Sequence, residues 1–184
     1  MPALNFCLED KKMQELICFK NPGLYTDGKC SEMICSWDEL CDKKVVRVVD
    51  GVLSGSSTVS DNDCLAGVLV LPECVEQICD FAFTSERRLR GLIALGSLKS
   101  IGKSAFEGCD SLETVDARCE HIGESAFMRC PRLRMVYNRA GSTVIADSAF
   151  CWCISLEEVV LPKNVAMQQK AFFGCNKDYS IEYV

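Results

Sequence analysis

Fourteen cysteines and a single histidine are the residues of this chain best suited to chemistry. Nucleophilic catalysis by a Cys/His pair needs a thiolate, a base within hydrogen-bond reach and a group that orients the base. Only His121 could supply that base, and no orienting partner stands out beside it. Structural zinc asks for four ligands, usually drawn from Cys-x₂₋₄-Cys pairs. Cys30 and Cys35, with Cys41 beyond them, sit at the edge of that spacing, as do Cys74 and Cys79, whereas Cys151 and Cys153 are too close. No second imidazole is present, so these cysteines read as free thiols. A Walker-type glycine loop and a His-Glu-x-x-His helix are both missing. The expectation is therefore no catalytic residue, no metal and no cofactor.

The elements that place these residues are repeats. The phrase Ile-Gly-x-x-Ala-Phe-x-x-Cys-x-x-Leu-x-x-Val recurs, with its Phe at Phe83, Phe106, Phe127, Phe150 and Phe172, spaced 23, 21, 23 and 22 residues apart. A fixed period of this size is the signature of a solenoid, in which no repeat buries its apolar face alone. Five copies superpose. Five residues before Phe stand Ile78, Ile101, Ile122, Ile145 and Met167, and three after it Glu86, Cys109, Cys130, Cys153 and Cys175. Leu89, Leu112, Leu133 and Leu156 follow, then Leu92, Val115, Val136 and Val159. The register slips in the last copy, where Asp178 and Tyr179 replace the expected Leu.

Leu-x-x-Val-x-Ala/Asn/Leu alternates as a strand does, which places Val115 and Ala117 on one face and Thr114, Asp116 and Arg118 on the other. Ser-Ala-Phe-x-x-Cys is too short for a full helix and reads as one helical or 3₁₀ turn, with Phe plugging the interior. Strands stacked about 4.8 Å apart would align Cys109, Cys130, Cys153 and Cys175 in a column. Free Cys packs there as a small apolar residue. His121 falls at a variable position, matched by Ser100, Val144 and Ala166, and reads as a solvated turn residue. The glycines after Ile101 and Ile122 read as turn glycines.

IGKSAFEGCDSLETV, IGESAFMRCPRLRMV and IADSAFCWCISLEEVVLPKNV resemble the BspA-type leucine-rich repeats over about residues 64 to 184. That resemblance implies an α/β leucine-rich-repeat solenoid with a parallel sheet on its concave side, short helical or 3₁₀ turns on its convex side, and a role in protein recognition. It implies no reaction and no cofactor. Surface location and adhesion are common in that family. The chain departs from the pattern at Glu86 and at Met167-Gln168.

Residues 1–63 read differently, as an N-terminal cap made of a helix, a strand and a polar loop. Leu8 to Phe19 carries Met13, Leu16 and Ile17 at helical spacing and ends at Asn21-Pro22-Gly23. Val45 to Val49 is a strand, closed by the turn signal Asp50-Gly51, and residues 54–63 form the polar loop. Solenoids need such terminal elements to cover the end of the core.

Net charge is −6, spread over both halves, so neither is basic and a nucleic-acid partner is disfavoured, because phosphate contacts need clustered positive charge. No apolar run is long enough to span a bilayer. The first ten residues lack a basic region followed by an apolar run, which implies a cytoplasmic location, with the cell surface as the minority reading.

A partner would lie on the outward strand positions. Leu69, Ile93, Asp116, Arg118, Met135, Tyr137, Arg139 and Glu158 combine an apolar centre with a polar rim. Tyr137, Arg139 and Arg118 are the expected anchors, since aromatic and Arg side chains dominate binding hot spots. The cap covering Leu69 and Ile93 is the competing expectation. Two arginine groups, Arg87/Arg88/Arg90 with Lys99 and Arg129/Arg132/Arg134, are expected on the convex side. The leading function is thus a non-catalytic recognition or scaffold module for a protein partner. The alternatives are a structural subunit that assembles, with itself or another chain, through the strand-like 179–184 edge, and a surface or adhesion protein.

Overall fold

A computed structural model of the chain describes residues 23–25, 33–42, 46–55 and 67–184. The helix expected at Leu8 to Phe19 and residues 56–63 of the polar loop lie outside these residues, as does Cys30.

Every coil of the repeat makes the same circuit because each shares the same inward-facing residues. In chain order the strands are β1 (Gly23–Tyr25), β2 (Met33–Ser36), β3 (Val46–Val49), β4 (Val52–Gly55), β5 (Gly67–Leu71), β6 (Gln77–Ile78) and β7 (Leu89–Ile101). Then come β8 (Thr114–Ile122), β9 (Met135–Asn138), β10 (Thr143–Ile145), β11 (Glu158–Leu161), β12 (Val165–Met167) and β13 (Ser180–Tyr183). One parallel ladder runs β5, β7, β8, β9, β11, β13. A second runs β4, β6, the later halves of β7 and β8, β10 and β12. β1 pairs antiparallel with β5, and β2 with β1. The β3–β4 hairpin turns at Asp50 and Gly51, whose φ values of 50° and 77° are those of the turn that matches strand twist.

The third side carries the Ala-Phe segments, and here the expectation of helical or 3₁₀ turns is corrected: it is a run of β-turns. Left-handed backbone recurs two residues before the first four of these Phe, at Phe81, Ser104, Ser125 and Ser148, with φ between 50° and 58°. It recurs two residues after, at Ser85, Gly108, Arg129, Trp152 and Gly174. Such residues interrupt any helix. The backbone instead divides its amides. Some close local turns, as Glu107 N donates to Ser104 O at 3.3 Å. Those between reach the next coil: Phe106 N donates to Ala126 O, Phe127 N to Ala149 O and Phe150 N to Ala171 O at 2.7–2.8 Å.

The coils are thereby held one strand spacing apart, and identical side chains superpose. The rings of Phe83, Phe106, Phe127, Phe150 and Phe172 stack with centroids 5.0–5.2 Å apart and planes within 11°. Tyr179 continues the stack below Phe172 at 5.6 Å, which accounts for the slipped register of the last copy. The three inner rings are fully buried, and each contributes roughly 1.5–3 kcal/mol of transfer free energy. Gly123 has no room for a side chain, since a Cβ there would stand 2.8 Å from the Gly102 carbonyl carbon. This glycine serves close approach of coils rather than the turn conformation expected of it.

The α component of the α/β expectation is small. Among the described residues the one α-helix is α1 (Trp37–Asp42), opened by a capping box in which Ser36 N donates to Glu39 Oε2 at 2.8 Å and Glu39 N to Ser36 Oγ at 3.3 Å. Leu40 of α1 and Leu53 of β4 enter the same core cluster as the repeat leucines.

The left-handed positions after Phe differ in cost. At Gly108 (φ 70°) a Cβ would meet nothing nearer than Ser85 Oγ at 3.4 Å, so substitution there isolates the backbone term. Gly108→Ala is expected to destabilise by about 1–2 kcal/mol, and Arg129→Gly to be neutral or stabilising by up to roughly 1 kcal/mol, read from urea midpoints. Equal midpoints for wild type and Gly108→Ala would contradict a left-handed requirement.

Candidate binding surface on the sheet

Two columns of the first ladder face away from the core. One consists of Val68, Gly91, Thr114, Met135, Glu158 and Ser180, the other of Val70, Ile93, Asp116, Tyr137, Val160 and Glu182. Leu69 is not among them. It shares the inward column of Leu92, Val115, Val136 and Val159 and is fully buried in the core. The expected face was off by one because β5, Gly-Val-Leu-Val-Leu, is apolar at nearly every position and its register shifts between Gly67 and Val68.

Ile93 faces outward but is buried in a small cluster with Val68 and Val70, against which Leu95 packs. Tyr137 is 1% exposed, packed with Val160 and Met135, and its hydroxyl lies 3.5 Å from Met135 Sδ. The expected aromatic anchor is thus a support: the Arg139 guanidinium lies over its ring, 5.5 Å from the centroid. Asp116, Arg118, Met135, Arg139 and Glu158 remain partly accessible.

Arg118 and Arg139 converge on a cleft of about 290 Å³, shared with Ser97, Glu120 and the Ala140–Ser142 loop. Three coils build it. Ser97 stands beside Arg118 in register, after a bulge in β7 between Ile93 and Ser97. Arg139 follows β9. The loop after it is fixed by Asn138, which is 2% exposed. Asn138 Oδ1 accepts from Cys119 N at 2.9 Å, and Nδ2 donates to Cys119 O at 2.9 Å. Thr143 Oγ1 donates to the same carbonyl at 2.9 Å. Sequence reasoning placed Asn138 inward without a role. The signal was there: a polar residue at an inward position where neighbouring copies have Ala117 and Leu161.

Asp116 lies within electrostatic reach of Arg139 and Arg118. Burial raises the pKa of its carboxyl above the usual range, and the guanidiniums of Arg139 and Arg118 pull it part of the way back. Burial is the larger influence.

The cysteine column has a polar explanation as well as a steric one. Each thiol donates to the carbonyl of the Phe one coil earlier: Cys109 to Phe83, Cys130 to Phe106 and Cys153 to Phe127 at 3.2 Å, and Cys175 to Phe150 at 3.0 Å. All four are free thiols. Contact with Cys130 and then burial push the Cys109 thiol far up. Cys153 is raised likewise by Cys175 and burial, whereas Cys175, half-buried, is lowered by its hydrogen bond with Cys153. Cys119 is pushed up to about 11 by burial. His121 is exposed within β8, paired with Ser100 and Val144, so it is a strand residue rather than a turn residue. Cys74 is exposed, while Cys41 and Cys79 are half-buried. Among the described residues no group of three or more His, Cys, Asp or Glu could hold a metal ion.

Two arginines of the expected convex groups, Arg87 and Arg134, meet acidic residues one coil away. Arg134 makes a bidentate pair with Glu157, Nε to Oε1 and Nη2 to Oε2, both 2.9 Å, and Arg87 lies 3.7 Å from Asp110. Lys99 pairs with Glu76.

Stacked coils with two parallel ladders and a stacked-turn side define a leucine-rich-repeat β-solenoid. The chain belongs to the BspA-type leucine-rich repeat family, whose model matches residues 62–178 in six copies, one more than the five the sequence suggested. No curated protein sequence matches the chain. Among solved structures, a leucine-rich cell surface protein of Faecalibacterium prausnitzii A2-165 is similar at 26% identity and TM-score 0.57, covering 76% of this chain and 40% of its own. The pneumococcal vaccine antigen PcpA covers 77% of this chain and 43% of its own at 15% identity and TM-score 0.42. A leucine-rich repeat protein of Eubacterium ventriosum ATCC 27560 covers 73% and 50%, at 15% identity and TM-score 0.37. The chain thus spans half or less of the length of each. A cytoplasmic location finds no support in these likenesses. Among the described residues, no helix is long and apolar enough to cross a membrane.

Two outcomes follow from the titrating groups. Because the Asp116 pKa is raised on folding, the native state holds the extra proton. Stability relative to Asp116→Asn is therefore expected to be greatest below the ordinary value of 3.8 and to fall as pH rises through the raised value. Urea titrations across that range check it, and the opposite slope would mean that the guanidiniums outweigh burial. In the folded protein, iodoacetamide is expected to label the half-buried Cys175 well before the buried Cys109, Cys130 or Cys153, as followed by peptide mass mapping, since reaction needs an accessible thiol.

Proposed function

We propose that the protein is a non-catalytic recognition module, located at a cell surface, that binds a protein partner through the outward face of its first ladder. The observation that carries this reading is the concentration of partly accessible, chemically mixed side chains on one rigid face: Asp116, Arg118, Met135, Arg139 and Glu158, contributed by successive coils. A row whose spacing is set by main-chain hydrogen bonds suits recognition, because little is lost in ordering it on binding. Cys109 and Cys119 are buried thiols with raised pKa, which favours binding over catalysis at these positions. Family membership and the likeness to a leucine-rich cell surface protein support both the class and the location.

The test compares wild type, Met135→Lys/Glu158→Arg on the sheet face and Arg87→Ala/Arg134→Ala on the turn-side columns. Each is immobilised and exposed to surface and secreted proteins of the source cells and their surroundings. One protein retained by wild type and the turn-side variant, lost from the sheet variant, and bound at least ten-fold more weakly by it when purified, is the expected result. Equal retention by all three would remove the sheet face from the reading.

A further inference from the structure

We propose that the cleft between Arg118 and Arg139 is a carboxylate subsite that receives an acidic side chain of the protein partner. This rests on the reading of the sheet face as the recognition surface and names the chemistry at its polar corner.

The size of the cleft is the first argument. About 290 Å³ lies at the small end of ligand cavities and suits one amino-acid side chain with its backbone rather than an extended molecule. Its donors are the second. Each guanidinium carries about five N–H groups in a planar fork, while a single carboxylate offers about four acceptor positions. Fork and carboxylate match in a bidentate fashion, which a compact ammonium could not do.

Preorganisation is the third. The Tyr137 ring supports the Arg139 guanidinium from below, at 5.5 Å. Asn138 pins the Ala140–Ser142 loop through Cys119, and Ala140 N also donates to Asn138 Oδ1 at 3.3 Å. Ser97 is held beside Arg118 by strand register. A site whose walls are fixed in this way loses little entropy when it fills.

Charge selects the ligand. Arg118 and Arg139 share the cleft with Glu120, and Asp116 lies within electrostatic reach of both. With two carboxylates already near, a phosphate or sulfate dianion meets more repulsion than a monoanionic carboxylate does. A nucleic-acid backbone would need many clustered cations.

The experiment uses the whole chain and two capped peptides, Ac-Ser-Glu-Ser-NH₂ and its Gln counterpart, with inorganic phosphate as a third probe. The Arg Nε–Hε resonances of Arg118 and Arg139 are followed by NMR. Saturable shifts with the Glu peptide are expected, about ten-fold weaker or more with the Gln peptide and in Arg139→Gln. Arg139→Lys keeps the charge and loses the fork, and is expected to weaken binding; Glu120→Gln is expected to tighten it. Equal response to both peptides, stronger response to phosphate, or Glu120→Gln without effect would overturn the proposal. Once the partner is in hand, loss of its binding in Met135→Lys/Glu158→Arg but not in Arg118→Gln/Arg139→Gln would remove the subsite and leave the sheet face standing. Retention in both would remove the sheet face itself.

Discussion

The hydrogen bond from one Phe amide to the Ala carbonyl of the next coil governs this molecule. It is made where left-handed residues stand two before and two after the Phe, so that some amides serve the local turn and those between serve the neighbour. With the parallel ladders on the other two sides, it fixes the separation of coils around the whole perimeter. Whatever stands at one position must then lie against the same position in the coils on either side. Flat rings can do this at 5.0–5.2 Å, and they stack. A thiol can do it by donating to a carbonyl of the preceding coil, which explains Cys where Ala would fill space but leave that acceptor without its thiol. Glycine does it where backbones nearly touch, at Gly123.

The same constraint shapes the outer face. Strand spacing sets Asp116 beside Tyr137 and Ser97 beside Arg118 without any side chain having to order itself. Tyr137 gives up exposure to hold Arg139, and Asn138 gives up its place in the apolar core to hold the loop that follows. Two residues are in this sense committed to positioning others. That division between supporting and contacting side chains is what a preformed recognition surface requires.

Much of this was legible in the residues. Repetition made the inward columns plain, because Phe, Ile, Leu and Cys recur at fixed offsets and only a stack uses them all. The outward face was legible where it alternates, as at Thr114, Asp116 and Arg118, and was misread at Leu69, where an unbroken apolar run carries no facing information. Tyr137 was assigned to the correct face, but its burial depends on three-dimensional packing that alternation does not encode. The turn side was read as helical because Ser-Ala-Phe-x-x-Cys suits a helical turn locally. The left-handed backbone at Ser104, Ser125 and Ser148 is imposed by bonds to the next coil and is not announced by glycine. The capping box Ser36-x-x-Glu39 was a readable helix start that the stronger apolar spacing of Leu8 to Phe19 overshadowed.

The column seven residues after Phe reads Arg90, Glu113, Arg134, Glu157, tied coil to coil by Glu113 N to Arg90 O, Arg134 N to Glu113 O and Glu157 N to Arg134 O. Each coil otherwise offers its neighbour nearly the same interface, so a folding chain could close while skipping one and still bury its phenylalanines. Such a skip would set Arg90 against Arg134 or Glu113 against Glu157. The alternation gives the stack a parity, so that a chain of almost interchangeable parts distinguishes its adjacent coil from the one beyond, and an assembly that has lost count carries like charges in contact.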